Sequence, residues 1–140
     1  MNRIETALIV SSDFLMRGSV AESLRNEEIA AIEVSEESDA FRVMSGTRVD
    51  LVFADLKLLK KLEAHLRQST LSVEPIWVAL TSFGELDLAI ELVKQGVQDY
   101  LVKPFTPAQV SIVVLRLKEI FELQSKINAL EERMQKPDEL

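Results

Sequence analysis

The stretch D-Y-L-V-K-P-F at residues 99–105 decides the fold, because a short apolar strand ends there in a lysine, Lys103, that proline follows directly. Proline has no backbone N–H to donate to a neighbouring strand, so the strand stops and the cation stays at its carboxyl end. Two upstream apolar runs also end in a polar residue, Asp55 in one and Thr81 in the other. Parallel strands bring such ends to one edge of a sheet, so we expect the acid, the hydroxyl and the cation to meet in one crevice.

Five short apolar runs alternate with helix-like segments along the chain. Most runs are continuously apolar, a pattern typical of parallel strands covered by helices on both faces. Buried helix segments are also apolar, but runs this short that are rich in valine, isoleucine and aromatics favour strands. Right-handed crossovers then predict a doubly wound α/β sheet. The predicted strands are 6–10, 29–34, 51–54, 76–80 and 100–102, and the predicted helices are about 14–26, 38–46, 57–68, 86–95 and a long one from Pro107.

Composition narrows the classes of function. The chain has 140 residues, the length of one domain, and no cysteine, which excludes disulfides, thiolate zinc sites and cysteine nucleophiles and fits a cytoplasmic location. Sixteen basic and 23 acidic side chains give a net charge of -7, so we expect no direct nucleic-acid binding. The first residues, which include an acid and only a short apolar run, predict neither a signal peptide nor a membrane span.

Asp55, Thr81 and Lys103, in this order at the ends of strands three, four and five, resemble the receiver domain of bacterial two-component response regulators over about residues 5–118. The resemblance implies a flavodoxin-like, five-stranded parallel sheet of order 2-1-3-4-5. It also implies that Asp55 is the phosphoacceptor for a histidine kinase, that Thr81 and Lys103 bind the phosphoryl group, and that Tyr100 is an aromatic switch. Taken singly, Asp55 and Thr81 fit helix caps and Tyr100 fits simple packing. The four together favour the family.

The chain departs from the family where strand one ends. Ser11 and Ser12 stand at the positions of two adjacent acids, which leaves a degenerate acidic pocket. Magnesium prefers carboxylates that supply charge as well as oxygen, and changing even an outer partner costs about 10- to 100-fold in metal affinity. Asp55 and Asp13 remain as weak candidate metal ligands, Asp13 only if the loop slips by one residue. An N-cap of the first helix is the simpler role for Asp13. We expect no cofactor, and magnesium only if Asp55 is a working phosphoacceptor.

A second departure follows Asp55. The segment L-K-L-L-K-K at residues 56–61 replaces the usual Pro-Gly turn and Asp-Gly, so the loop looks shortened. Lys57, Lys60 and Lys61 bring positive charge near a pocket that has lost negative charge, although a solvated basic helix face explains each of them. Without the two acids, Lys103 is free to pair with Asp55 permanently, which predicts a pseudo-receiver that holds one conformation.

The last helix is longer than a receiver needs. No glycine or proline intervenes between Pro107 and Pro137, which allows a helix of up to about 30 residues. We therefore divide the chain into a receiver-like domain, 1–118, and a helical coiled-coil linker and tail, 119–140. The spacing of apolar residues predicts a parallel two-stranded coil and a homodimer, and the alternative is an amphipathic helix packed on its own domain. The predicted dimer residues are Ile120, Leu123, Ile127, Leu130 and Met134.

Two functions follow, and neither is enzymatic. One is a phosphoacceptor receiver that a histidine kinase charges on Asp55. The other, which the serines and the altered loop favour, is a phosphorylation-independent receiver that dimerises and regulates an output module outside these residues. A nucleotide-binding enzyme of the same topology is disfavoured, because Gly18 comes too late for a phosphate loop. The extended helix resembles linkers to the ATPase domains of sigma-54-dependent activators, and we expect the chain to be a fragment.

Overall fold

The computed structural model describes residues 3–66 and 75–135. It contains one five-stranded parallel sheet of order β2-β1-β3-β4-β5, with helices on both faces, as the sequence predicts. The strands are β1 (Thr6–Val10), β2 (Ala30–Val34), β3 (Leu51–Asp55), β4 (Ile76–Thr81) and β5 (Asp99–Val102). The helices are α1 (Phe14–Asn26), α2 (Glu37–Gly46), α3 (Leu56–Leu66), α4 (Leu86–Lys94) and α5 (Pro107–Met134), and a short 3-10 helix spans Phe83–Glu85.

The predicted elements agree with the observed ones to within one or two residues at most ends. The predicted end of the third helix at Gln68 lies outside the described residues. The short 3-10 helix before α4 was not predicted, because a single turn carries no periodicity. The three central strands are almost fully buried, whereas β2 at one edge is half exposed and carries a charged residue, Glu33, within it.

Two apolar layers hold the sheet between its helices. One layer packs α1 and α5 against one face of the sheet, and the other packs α2, α3 and α4 against the opposite face. Trp77 on β4 belongs to the second layer and is only 4% exposed. Within the described residues, no helix is both long and apolar enough to cross a membrane.

Local signals fix the ends of the helices. The Asp13 carboxylate accepts a hydrogen bond from the Met16 N–H, which confirms the predicted N-cap of α1. At the start of α5, Thr106 and Gln109 form a reciprocal capping box, and Pro107 occupies the first turn. After α1 the chain turns through Glu28, whose φ of 62° lies in the left-handed region that glycine prefers.

Candidate functional site

The crevice at the carboxyl edge of the sheet contains the predicted trio. Asp55 is the last residue of β3 and pairs in register with Leu80, one residue before Thr81 at the end of β4. Lys103 directly follows β5, and its backbone N–H donates to the Thr81 carbonyl over 2.7 Å, so the strand pairing continues to this residue. The parallel register therefore holds the three residues side by side.

Both carboxylate oxygens of Asp55 already have partners. The Ser11 hydroxyl donates to Oδ2 over 2.8 Å, and the Lys103 Nζ lies 3.1 Å from Oδ1. The Asp55 side chain is only 19% exposed and that of Lys103 33%, so water screens the ion pair only in part. We call this arrangement of Ser11, Asp55 and Lys103 the Asp55 clamp.

Ser11 is the most tightly held member of the Asp55 clamp. It is fully buried, and its hydroxyl oxygen also accepts a hydrogen bond from the Asp13 N–H over 3.1 Å. Its own N–H donates to the Val34 carbonyl over 3.1 Å, and its carbonyl accepts from Arg17 Nη1 over 2.7 Å. Every polar group of this serine is therefore used.

The side chains around Asp55 do not fit a magnesium ion. Ser11 supplies a neutral hydroxyl that donates its proton to Asp55, Ser12 is exposed, and the Asp13 carboxylate caps α1. Among residues 3–66 and 75–135, no group of three or more histidine, cysteine, aspartate or glutamate side chains is arranged to hold a metal ion. A hard octahedral cation needs several anionic or carbonyl oxygens, and here one carboxylate with two occupied oxygens faces the crevice.

The start of α3 adds positive rather than negative character. The helix begins at Leu56, immediately after Asp55, so no loop separates the strand from the helix. The free backbone N–H groups of a first turn point toward the residue that precedes the helix, and the carbonyls point away. The shortened loop is thus observed as a helix that starts beside the acid. Lys57, Lys60 and Lys61 are exposed on α3, and it is Lys103 that contacts Asp55.

Thr81 and Tyr100 occupy their predicted strands, and in the described residues neither side chain makes a hydrogen bond to the Asp55 clamp. Thr81 is fully buried, and its hydroxyl makes a long, 3.3 Å hydrogen bond to the Ser82 carbonyl. Tyr100 on the edge strand β5 is 38% exposed. The roles of these two residues in phosphoryl binding and switching stay predictions.

Sequence reasoning missed two charge networks, the first partly buried and the second built on a buried acid. Arg17 on α1 connects the Ser11 carbonyl to Glu33 on β2, whose carboxylate lies 3.4 Å from the Arg17 Nε. At the opposite end of the sheet, the buried Asp50 carboxylate accepts hydrogen bonds from the N–H groups of Glu5 and Thr6. A glutamate inside an otherwise apolar strand was the available signal for the first network, and an acid directly before an apolar run was the signal for the second.

The predicted dimer residues divide into two groups. Ile120, at the end of the receiver-like part, is partly buried against the core beside Phe121. The other four are each more than half exposed along α5, and within residues 3–66 and 75–135 no apolar surface covers them: Leu123, Ile127, Leu130 and Met134. Packing against the core thus continues three residues past position 118, and the tail residues 136–140 lie outside the described part of the chain.

Comparison with known proteins agrees with the geometry of the sheet and crevice. The family described as "Response regulator receiver domain" matches residues 7–115, and the chain belongs to this family. It is a response-regulator receiver domain of signal transduction. A transcriptional regulatory protein, PdtaR of Mycobacterium tuberculosis, is 31% identical over 136 residues, which cover 91% of this chain and 65% of the relative. The alginate biosynthesis transcriptional regulatory protein AlgB of Pseudomonas syringae is 25% identical over 133 residues, 93% of this chain and 30% of its own length.

Solved structures show the same fold at lower identity. NtrX from Brucella abortus, crystallised with ADP, aligns with a TM-score of 0.77 at 20% identity over 91% of this chain and 30% of its own. The chemotaxis response regulator CheY4 of Vibrio cholerae aligns with a TM-score of 0.65 at 17% identity over 81% of this chain and 98% of its own. The chain therefore spans less than two thirds of PdtaR, AlgB and NtrX but nearly all of CheY4.

Proposed function

We propose that this receiver domain works without phosphorylation, as a pseudo-receiver that presents one fixed surface to its partners. The observation that carries the proposal is the Asp55 clamp, in which a serine hydroxyl and the Lys103 ammonium take both oxygens of the acceptor carboxylate. In a working receiver those oxygens meet a metal ion and a phosphodonor. Here internal donors satisfy them instead.

The charge of the crevice argues in the same direction. Phosphoryl transfer concentrates negative charge, and positioned cations must neutralise that charge as it develops. Lys103 is one cation, and Asp55 already neutralises it at 3.1 Å. A second cation has to be recruited as a metal, and neither Ser11 nor Ser12 offers the negative charge that recruits one. Phosphoryl transfer to Asp55 is therefore slow, because the crevice lacks the positive charge that a metal ion would supply.

The second candidate is a functional phosphoacceptor on Asp55, charged by a histidine kinase. One observation favours it: Asp55, Thr81 and Lys103 share one crevice, and Asp55 keeps 19% exposure toward solvent. A partner that pulls Ser11 away frees one carboxylate oxygen for reaction. Magnesium is required only under this candidate.

The two candidates separate in a phosphodonor assay on the whole chain. The protein is incubated with acetyl phosphate and millimolar magnesium and followed by intact mass and by Trp77 emission, with an active receiver of the family in parallel. We expect no stoichiometric adduct of a phosphoryl group and no change in emission from the buried Trp77. A phosphoryl adduct on the wild type that is absent from Asp55→Asn contradicts the pseudo-receiver proposal.

A matched variant tests the physical reason. Replacing both serines, Ser11→Asp with Ser12→Asp, restores the two acids and removes the hydroxyl that donates to Asp55. We expect magnesium affinity to rise by at least about 10- to 100-fold, the range for changes around a metal ligand. Ser12→Asp alone, at an exposed position that leaves the Asp55 clamp intact, is the control and gains less.

We further propose that α5 joins two copies of the chain in a parallel coiled coil. The helix is 28 residues long, about 42 Å at 1.5 Å per residue. Beyond the core contacts of Ile120, the exposed apolar stripe has the branched Ile127 at one a position, Met134 at the next, and leucine at both d positions. Branched residues at a with leucine at d favour two parallel strands. Lys126 at g and Glu131 at the next e form an attractive pair between such chains. A second copy of α5 is thus the occupant that the stripe and its flanking charges fit.

Sedimentation velocity tests this dimer. The full chain is compared with Ile127→Lys, which puts a charge in the stripe, and with Asn128→Lys, the same change one residue outside it. We expect Ile127→Lys to be monomeric and Asn128→Lys to remain dimeric. A chain that ends at Glu122, past the last core contact at Phe121, is also expected to be monomeric. Undiminished association of that shortened chain contradicts the coiled coil and places the contact on the globular part.

The remaining parts of the proposal concern what the chain acts on. We place the output module outside these 140 residues and assign α5 as the linker to it. We place the protein in the cytoplasm. The relatives named as transcriptional regulators support a role in transcription control. The net charge of -7 supports action through protein partners rather than through direct contact with nucleic acid.

A further inference from the structure

We infer that Arg17 is the positioning residue of the Asp55 clamp: with Glu33 it holds Ser11 so that the serine hydroxyl stays on the acceptor carboxylate. The inference rests on the proposed function and deepens it, because it identifies what keeps the pocket closed.

The contact with Ser11 is direct. Arg17 Nη1 donates to the Ser11 carbonyl over 2.7 Å, and the Arg17 side chain is only 14% exposed. A hydrogen bond with a charged donor is about twice as strong as a neutral one, and burial protects this one from water. The Arg17 guanidinium on α1 therefore holds the backbone carbonyl of Ser11, two residues before the N-cap of the helix.

Holding the backbone of Ser11 also holds its hydroxyl. The Ser11 N–H is bonded to the Val34 carbonyl and its C=O to Arg17, so the peptide groups on both sides of its Cα are fixed. With φ and ψ fixed, the side chain has only its few staggered χ1 positions. The position that it adopts places Oγ 2.8 Å from Asp55 Oδ2 and 3.1 Å from the Asp13 N–H.

Glu33 lies on the other side of the arginine as an ion-pair partner, without a hydrogen bond to the Arg17 Nε. Its Oε1 lies 3.4 Å from Arg17 Nε, and its Oε2 lies 3.7 Å from Arg25 Nη2. The carboxylate is 28% exposed on the edge strand β2, so it neutralises the charge of Arg17 inside the α1–β2 packing. Arg17 therefore does not serve as a second cation for Asp55, and its effect on the acid passes through Ser11.

Arg25 provides a matched control on the same helix. It shares Glu33 with Arg17, and it donates to the Ala31 carbonyl over 3.1 Å, on β2 and away from the crevice. Replacing Arg25, whose side chain is 55% exposed against 14% for Arg17, also removes an arginine–glutamate ion pair but no hydrogen bond to Ser11. An effect at Ser11 that appears in the Arg17 variant alone therefore points to the contact with Ser11.

Amide hydrogen exchange on the full chain tests the inference. The reporter is the Asp13 N–H, which donates to Ser11 Oγ, together with the Ser11 N–H. We expect Arg17→Met to speed exchange at these two amides by about tenfold or more relative to β4 amides, the factor for losing one charge-assisted hydrogen bond. Arg25→Met is expected to leave them within about threefold of the wild type.

Conservative variants keep the test valid if Arg17→Met folds poorly. Arg17→Lys keeps the charge and one donor and is expected to exchange at an intermediate rate, and Glu33→Gln, which keeps the shape of the carboxylate, is expected to speed the same two amides. Equal exchange in the Arg17 and Arg25 variants overturns the inference. Faster exchange of all amides together also overturns it, because that pattern reports general destabilisation.

The phosphodonor assay keeps this inference separable from the proposed function. A phosphoryl adduct on the wild-type Asp55 removes the pseudo-receiver, whatever the exchange rates of the variants are. An unreactive wild type with no local effect of Arg17→Met leaves the pseudo-receiver standing and removes only the positioning role of Arg17.

Discussion

Neutralising Asp55 in the variant Asp55→Asn is expected to destabilise this domain. An asparagine side chain has one oxygen for two donors, so either the Ser11 hydroxyl or the Lys103 ammonium loses its acceptor. In a receiver pocket filled with acids the same substitution relieves repulsion between carboxylates. The sign of the change in stability therefore distinguishes the Asp55 clamp from a metal-binding pocket.

The magnitude follows from the exposure of the pair. An exposed ion pair contributes up to about 1 kcal/mol, and removing one partner of a buried pair costs about 3–5 kcal/mol. Asp55 and Lys103 are 19% and 33% exposed and fall between these cases. The hydrogen bond from Ser11 also becomes weaker when its acceptor is neutral. We therefore expect Asp55→Asn to lower the free energy of unfolding by about 2 kcal/mol. In urea this lowers the unfolding midpoint by about 1 M, and in a thermal melt it lowers Tm by about 6 °C.

The assay is urea unfolding followed by Trp77 fluorescence, at a protein concentration where the oligomeric state is the same for all variants. Asp13→Asn is the matched control, because it removes the same charge at an exposed position and asparagine caps a helix as well as aspartate does. We expect it to stay within about 0.5 kcal/mol of the wild type. If Asp55→Asn is as stable as the wild type or more stable, the reasoning about the Asp55 clamp is wrong.

Two further predictions concern stability at the other end of the sheet. Asp50 is 7% exposed, and its carboxylate accepts hydrogen bonds from the Glu5 and Thr6 N–H groups over 2.9 and 3.1 Å. We therefore expect Asp50→Ala to lower the free energy of unfolding, measured in urea, by about 3 kcal/mol. A loss under about 1 kcal/mol contradicts a stabilising role of these two hydrogen bonds. Glu28→Gly relieves a φ of 62° after α1 and is expected to raise stability by about 0.5–1 kcal/mol in the same assay, whereas Glu28→Gln, which keeps the strain, is expected to gain nothing.

The elements of the fold followed from local patterns. Continuous apolar runs gave all five strands, the aspartate before Phe14 gave the N-cap of α1, and the proline at 107 gave the start of α5. These signals succeed because a strand or a cap is decided within a few residues by hydrogen bonding and by exclusion of water. The strand order and the placement of Asp55, Thr81 and Lys103 then followed from the resemblance to receivers.

The sequence by itself determined which chemical groups stand at the ends of the strands, including the serines that replace two acids and the lysine that directly follows β5. Only the tertiary structure decided what those groups do to each other. The hydroxyl of Ser11 and the ammonium of Lys103 reach Asp55 from 44 and 48 residues away, and Arg17 reaches Glu33 across the packing of α1 on β2. Side-chain direction across such separations depends on the register of neighbouring strands and on packing, which no local pattern encodes.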